Sequence, residues 1–144
     1  MTRSTTSILF LLITLYACQE VRKDDNSIQK ANSNCDAFMK DFKDGKFSQA
    51  IQSLKQISVI DSPSIDSLDL TVNRQMRILL SSYGKILSYE FIRERKVKDF
   101  IIKRFYILRF EKYYLKFDFV LYRIGAEWKI TNFNYNEDLI EVLY

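Results

Sequence analysis

Asp118 and the tyrosines around it are the residues whose types and spacing could support catalysis. Tyr114, Asp118 and Tyr122 are four residues apart within one apolar segment. Successive side chains of a strand alternate between its faces, so all three would share one face. A carboxylate can act as a general base, and phenols can stabilise a developing oxyanion. Tyr106, on the preceding apolar segment, could complete such a site.

A structural role for Asp118 is the alternative to this catalytic one. Lys116 lies two positions away on the same face, and its positive charge would stabilise the ionised carboxylate. Alternating Tyr, Lys, Asp and Tyr is also typical of a half-covered sheet face. The chain has no histidine, which excludes histidine-based triads and imidazole acid–base catalysis. Asp118 is therefore kept only as a weak catalytic candidate.

Cofactor, metal and nucleic-acid motifs are also missing from the sequence. It contains no glycine-rich phosphate loop, no Cys-x-x-Cys pair and no acidic calcium loop. Basic residues between Arg93 and Arg109 interleave with Phe100 and Phe105, a pattern that can bind single-stranded nucleic acid. Acidic residues such as Glu94 dilute that positive charge, and a solvated hairpin or contact with an anionic envelope surface are the alternatives to nucleic-acid binding. We predict no cofactor, no metal and no nucleic-acid partner.

Residues 1–17 have the pattern of a signal peptide. Arg3 precedes an apolar run of about ten residues, which at ~1.5 Å per residue spans only half of a ~30 Å hydrocarbon core. The following Leu15-Tyr16-Ala17-Cys18 resembles a bacterial lipobox, in which the cysteine is lipidated and becomes the mature N-terminus. This resemblance implies export to the cell envelope, on a lipid anchor at Cys18. An ordinary secretory peptide cut near Ala17 is the alternative.

The remainder is predicted to be a tether over residues 18–33 and one domain over residues 34–144. Lys23-Asp24-Asp25 resembles the signal that sends some lipoproteins to the outer membrane surface, although a solvated linker would look the same. Ser33-Asn34-Cys35-Asp36 has the form of a capping box and predicts the start of a helix. Apolar residues with helical spacing predict helices over 35–57, interrupted at Asp44-Gly45, and over 66–82.

Long strands follow the helices. We predict strands over 85–95, 100–110 and 113–124, then a turn at Gly125-Ala126 and a fourth strand from Trp128. Fifteen aromatic side chains lie between Tyr83 and Tyr135, so most of the core should form there. The predicted fold class is α+β, with N-terminal helices packed on a curved antiparallel sheet of about four strands.

This order of elements resembles small secreted domains of the nuclear-transport-factor-2-like family, which have a cystatin-like α+β cone. The resemblance rests on Asp44-Gly45-Lys46-Phe47, on the helix end at Leu79–Gly84 and on the stretch from Gly125 to Ile130. It implies a concave sheet face that forms a pocket. The candidate ligand-binding residues there are Tyr106, Tyr114, Asp118, Tyr122 and Trp128.

The family includes isomerases, dehydratases, ligand carriers and interaction modules, so the resemblance indicates fold more than function. Our first hypothesis is a non-enzymatic, lipid-anchored envelope domain that binds a protein partner or a small ligand through its curved sheet. The second is a small isomerase- or dehydratase-like enzyme with Asp118 in the cavity. The third is a module that forms a homodimer through the sheet.

Overall fold

The computed structural model describes residues 26–144, so the predicted signal peptide and Cys18 lie outside the described residues. Three helices come first: α1 (residues 26–43), α2 (Phe47–Ile57) and α3 (Ser62–Tyr83). Four strands and a final helical turn follow: β1 (Ile86–Val97), β2 (Ile101–Phe110), β3 (Tyr114–Ile124), β4 (Glu127–Asn136) and α4 (Ile140–Leu143). The predicted α+β fold class is confirmed, because helices precede a curved four-stranded antiparallel sheet.

The first helix begins earlier than the sequence pattern predicted. Residues 26–33, which were placed in the tether, are helical, and the supposed capping box at Ser33–Asp36 lies inside α1. Ala31 is buried and Ile28 packs against the core. Together with Cys35 they extend the apolar face of α1 toward its N-terminus. Polar residues between them occupy the exposed face, and their number hid the periodicity.

Local signals set the other helix ends. Gly45 has a φ of 77° and separates α1 from α2. The Asp61 side chain accepts a hydrogen bond from the backbone N–H of Ser64 and caps α3. Pro63 lies in the first turn of α3. Its missing N–H is tolerated there, because the first N–H groups of a helix have no partner within the helix. Gly84 ends this helix with a φ of 82°, as the sequence predicted. Among the described helices, none is long and apolar enough to cross a membrane.

The space between the helices and the sheet is filled by aromatic side chains. The rings of Phe38 and Phe119 lie 5.2 Å apart, and those of Phe42 and Phe117 lie 5.0 Å apart. Phe133 of β4 completes the cluster at 4.9 Å from Phe38. These contacts make the helix-facing side of the sheet a packed core.

The two edges of the sheet differ. The backbone N–H of Val59 donates to the carbonyl of Ile130 at 3.0 Å, so the segment after α2 covers the β4 edge. The β1 edge has irregular pairing at Leu87 and Ile92 and carries many charges. Bulges and charges of this kind discourage pairing with another strand. The homodimer through the sheet stays a prediction.

Candidate functional site

The predicted site residues are divided between the two faces of the sheet. Tyr106 pairs with Phe117 and faces the helices, whereas Asp118 pairs with Phe105 and faces away from them. Directly paired residues share a face, so Tyr106 and Asp118 lie on opposite sides of the sheet. The structure does not bring these two residues together.

Tyr114 and Tyr122 share the outer face with Asp118 but lie far from it along the strand. Four residues of strand span about 13 Å. The Tyr114 hydroxyl donates to the backbone carbonyl of Glu137 at 3.3 Å. The Tyr122 ring is partly exposed and packs against Phe100, with ring centroids 6.3 Å apart. Neither phenol converges on the carboxylate, so the three residues do not form an oxyanion-binding site.

Asp118 belongs to a charge cluster formed by Lys103, Lys116, Asp118 and Glu141, in which Lys116 and Asp118 are buried. Asp118 is 3% exposed and Lys116 is 2% exposed. The Asp118 carboxylate lies 3.6 Å from Lys103 Nζ and 3.8 Å from Lys116 Nζ. Both lysines also contact Glu141 of α4, at 2.6 Å and 3.6 Å. The carboxylate is therefore held between two cations under α4, without the access that a substrate would need.

Glu141 ties the C-terminal turn α4 to this outer face. Lys103 Nζ donates to Glu141 Oε2 at 2.6 Å, and Arg93 Nη2 donates to the Glu141 backbone carbonyl. The Lys103 hydrogen bond lowers the pKa of Glu141 below its ordinary value of 4.5. A lowered pKa means that this contact contributes stability above pH 4.5, and that the contribution is lost as pH falls through the lowered pKa.

We expect α4 to loosen when the pH is lowered below about 4.5, because protonated Glu141 no longer holds Lys103 as an ion pair. Hydrogen-exchange protection of residues 140–144, corrected for the intrinsic rate, should fall in that window. The Glu141→Gln chain is the control, and its protection should be low and nearly independent of pH there. Equal pH dependence in both chains would show that another group holds α4.

Tyr106 lies in a second buried polar cluster, between α1 and the sheet. Its hydroxyl donates to Asp36 Oδ1 at 2.5 Å and accepts from Arg104 Nε at 3.1 Å. Arg104 also pairs with Glu94 at 2.9 Å. Burial raises the pKa of Tyr106, so the phenol stays protonated. Burial likewise raises the pKa of the adjacent Cys35 thiol to about 12, which keeps it unreactive. This cluster joins α1 to β1 and β2.

Trp128 lies between two clefts at one end of the sheet, where the β1–β2 and β3–β4 turns meet. We call this the hairpin end. One cleft has a volume of about 740 Å³ and includes Lys30 and Lys129. The other has a volume of about 290 Å³ and includes Lys96 and Lys98. Of the five predicted ligand-binding residues, only Trp128 lines one of the clefts found in the described part of the chain.

An apolar groove lies at the opposite end of the sheet, between α3 and the strands β3 and β4. We call it the distal groove. Its volume is about 520 Å³, and its apolar lining comes from Ile78, Leu79, Leu115 and Tyr135. Gln75 at its rim accepts a hydrogen bond from the Tyr135 hydroxyl. Burial raises the pKa of Tyr135, so this hydroxyl remains a donor.

The residues that line this groove were not among the predicted site residues. Ile78 lies off the apolar stripe of α3, which runs through Leu68, Val72, Met76, Leu79 and Tyr83. It is 61% exposed in the structure. Single exposed apolar residues are common, and Leu70 of the same helix is 72% exposed, so only the tertiary structure shows that Ile78 belongs to a groove.

Comparisons with known proteins found no relative. The family-model scan, the search of curated proteins and the search of solved structures each found no match. The resemblance to nuclear-transport-factor-2-like domains therefore stays a prediction.

Proposed function

We propose that this chain is a lipid-anchored bacterial cell-envelope domain without enzymatic activity, which binds the apolar part of a small ligand or of a protein partner in the distal groove. The observation that carries the proposal is the groove itself. Its lining combines α3 with β3 and β4 and includes none of the five ligand-binding residues predicted from the sequence.

The size and lining of the groove suit an apolar occupant. Its volume of about 520 Å³ lies in the range of roughly 300–1,000 Å³ that is common for ligand pockets. The exposed Ile78 side chain would be removed from water on binding, at about 25 cal/mol for each Å² buried. Asn136, Glu137 and Asp138 supply polar groups at the rim, which could orient the occupant.

The groove also suits a domain that is held to a membrane by Cys18. The described chain begins at residue 26, and the backbone N–H of Trp128 donates to Ser27 Oγ at 3.2 Å. Thus α1 starts at the hairpin end, and the distal groove opens at the other end of β3 and β4. An anchor eight positions before residue 26 would therefore attach at the end of the domain opposite the groove.

The alternative function, an isomerase or dehydratase with a cavity carboxylate, has less support. Asp118 is buried between Lys103 and Lys116 and does not line the distal groove. Tyr106 is enclosed in its own hydrogen-bonded cluster. No specific geometry in the described part of the chain favours catalysis at either residue.

Replacing Ile78 with glutamate should weaken binding of the uncharged apolar probe N-phenyl-1-naphthylamine by about tenfold, because a charge in an apolar groove loses hydration. Fluorescence titration of the probe measures this change. Leu70→Glu is the matched control, since Leu70 is an exposed apolar residue of the same helix, 72% exposed and outside the groove lining. Its affinity should stay within about twofold of the parent chain. Equal weakening by both changes would contradict the proposal.

A further inference from the structure

We infer that the hairpin end is a docking surface for an anionic lipid bilayer. Its orientation in the cell rests on the proposed lipid anchor at Cys18. The surface itself is defined by side chains of the β1–β2 turn, the β3–β4 turn and the clefts beside Trp128. Three properties support it. Apolar side chains are exposed there, cations are in excess, and the described chain begins there, at residue 26.

Four large apolar side chains are exposed on the two neighbouring hairpins at this end. Val97 is 56% exposed, Phe100 44%, Tyr122 42% and Ile124 49%. The backbone N–H of Arg123 donates to the carbonyl of Phe100 at 2.9 Å, so the two hairpins are held side by side. Adjacent exposed apolar groups of this kind gain stability when they are buried in the boundary between headgroups and acyl chains.

Basic side chains line the two clefts at the same end of the sheet. The two clefts are lined by five basic residues, Lys30, Lys96, Lys98, Arg123 and Lys129, and by two acidic residues, Asp99 and Glu127. Glu94 lies 3.5 Å from Lys96, so five basic residues face three acidic ones and the excess is two positive charges, in a chain whose whole net charge is +4. Basic residues next to a bilayer contribute about 1 kcal/mol each when the lipids are anionic.

Lys98 occupies a backbone position that lysine seldom takes. Its φ is 56°, and it is the one described residue other than glycine with a positive φ. Glycine or asparagine is favoured at such positions, because a larger side chain there meets the backbone. This backbone conformation lowers the stability of the turn, and it places the long cationic side chain of Lys98 at the tip.

Trp128 adds an interfacial anchor to the same surface. Its ring is partly buried and lines both clefts. Tryptophan is enriched at membrane interfaces, where its ring contacts apolar groups and its N–H contacts polar groups. It is the only tryptophan in the chain, so its fluorescence reports on this end alone.

The attachment point of the chain also favours a bilayer as the partner. Residue 26 lies eight positions after Cys18, and a chain of that length spans at most about 29 Å. A lipid on Cys18 would therefore keep the hairpin end close to the bilayer surface. A weak docking contact then becomes effective, because the anchor makes it intramolecular.

Vesicle flotation of the full chain with Cys18→Ser, which cannot be acylated, tests the surface without the anchor. The chain should bind vesicles of phosphatidylcholine with about 30% phosphatidylglycerol at least tenfold more tightly than pure phosphatidylcholine vesicles. Adding Lys98→Glu and Phe100→Ser should weaken this binding by at least about tenfold. Adding Lys112→Glu and Leu70→Ser is the matched control. It replaces a lysine and an exposed apolar residue at sites away from the hairpin end, and binding should stay within about twofold of the Cys18→Ser chain. The leader is present in every chain, so its contribution cancels.

Tryptophan fluorescence identifies the surface that touches the lipid. The emission of Trp128 should shift to shorter wavelength with the anionic vesicles and not with the neutral ones. Flotation without that shift would overturn the inference. So would an equal loss of vesicle binding in the Lys98→Glu/Phe100→Ser chain and in the Lys112→Glu/Leu70→Ser chain. Displacement of the vesicles by a single-stranded oligonucleotide that binds more tightly would also overturn it and assign the surface to nucleic acid.

The mass of the mature N-terminus, measured on protein from the native envelope, separates the two proposals. An unmodified Cys18 together with the expected vesicle results would remove the anchor and leave the docking surface. A lipidated Cys18 together with no effect of Lys98→Glu and Phe100→Ser would remove the docking surface and leave the anchor.

Discussion

Replacing Asp118 with alanine is expected to lower the free energy of unfolding by about 3 kcal/mol, because the buried Lys116 loses its buried partner and keeps only the half-exposed Glu141. Lys116 is 2% exposed, and its Nζ lies 3.8 Å from Asp118 Oδ1. Glu141 remains 3.6 Å from Lys116, which keeps the expected loss at the lower end of the range for broken buried pairs. Urea denaturation, with the midpoint and slope both fitted, measures the loss.

Removing both buried charges should reverse most of that loss. In the Lys116→Met/Asp118→Leu chain no buried charge is left unpaired at these two positions, and an apolar pair of similar volume is often as stable as the ion pair. Lys103 keeps its contact with Glu141 at 2.6 Å. A loss of less than about 1 kcal/mol in Asp118→Ala would show that water reaches the cluster. That result would reopen Asp118 as an accessible group.

Replacing Phe117 with alanine is expected to cost about 4 kcal/mol, the middle of the range for removing a buried phenylalanine. Phe117 is fully buried at the centre of the helix-facing layer. Its ring lies 5.0 Å from that of Phe42, 5.9 Å from Phe133 and 5.5 Å from Tyr135. The rings around it come from both α1 and β4, so the resulting cavity cannot close without moving a helix or a strand. Urea denaturation again gives the value.

Phe100→Ala is the matched control for this core prediction. Phe100 is 44% exposed at the hairpin end, and its removal should cost less than about 1 kcal/mol. Similar losses for the two phenylalanines would contradict the view that the core is the filled layer between α1 and the sheet. A small loss for Phe100→Ala would also show that the stability of the fold does not depend on this exposed side chain.

Local features could be predicted from the sequence because their causes lie within a few residues. Gly45 and Gly84 both have positive φ values and end helices, and Gly125 has a φ of 62° in the predicted turn. Period-two patterns also identified which residues of a strand share a face. Leu115, Phe117 and other alternate residues of β3 face the helices, as that pattern indicated.

The start of α1 and the pairing of β1 could not be predicted in the same way. Polar residues separate Ile28 and Ala31 from the stronger apolar stripe that begins at Cys35. The irregular pairing at Ile92 shifts β1, so that Phe91 pairs with Tyr106 while Arg93 pairs with Phe105 on the opposite face. A bulge is a property of two paired strands, and one strand's pattern does not reveal it.

By itself the sequence determined the fold class, the glycine-marked ends of α1 and α3 and the absence of histidine chemistry, because these follow from composition and short-range patterns. Only the tertiary structure decided which candidates can act. The α4 turn folds back over β2 and β3 and buries Asp118, while Trp128 and the lysines of two separate hairpins come to one end of the sheet. Those outcomes depend on contacts between distant segments, such as the 2.6 Å pair of Lys103 and Glu141. Patterns within one segment carry no information about such contacts.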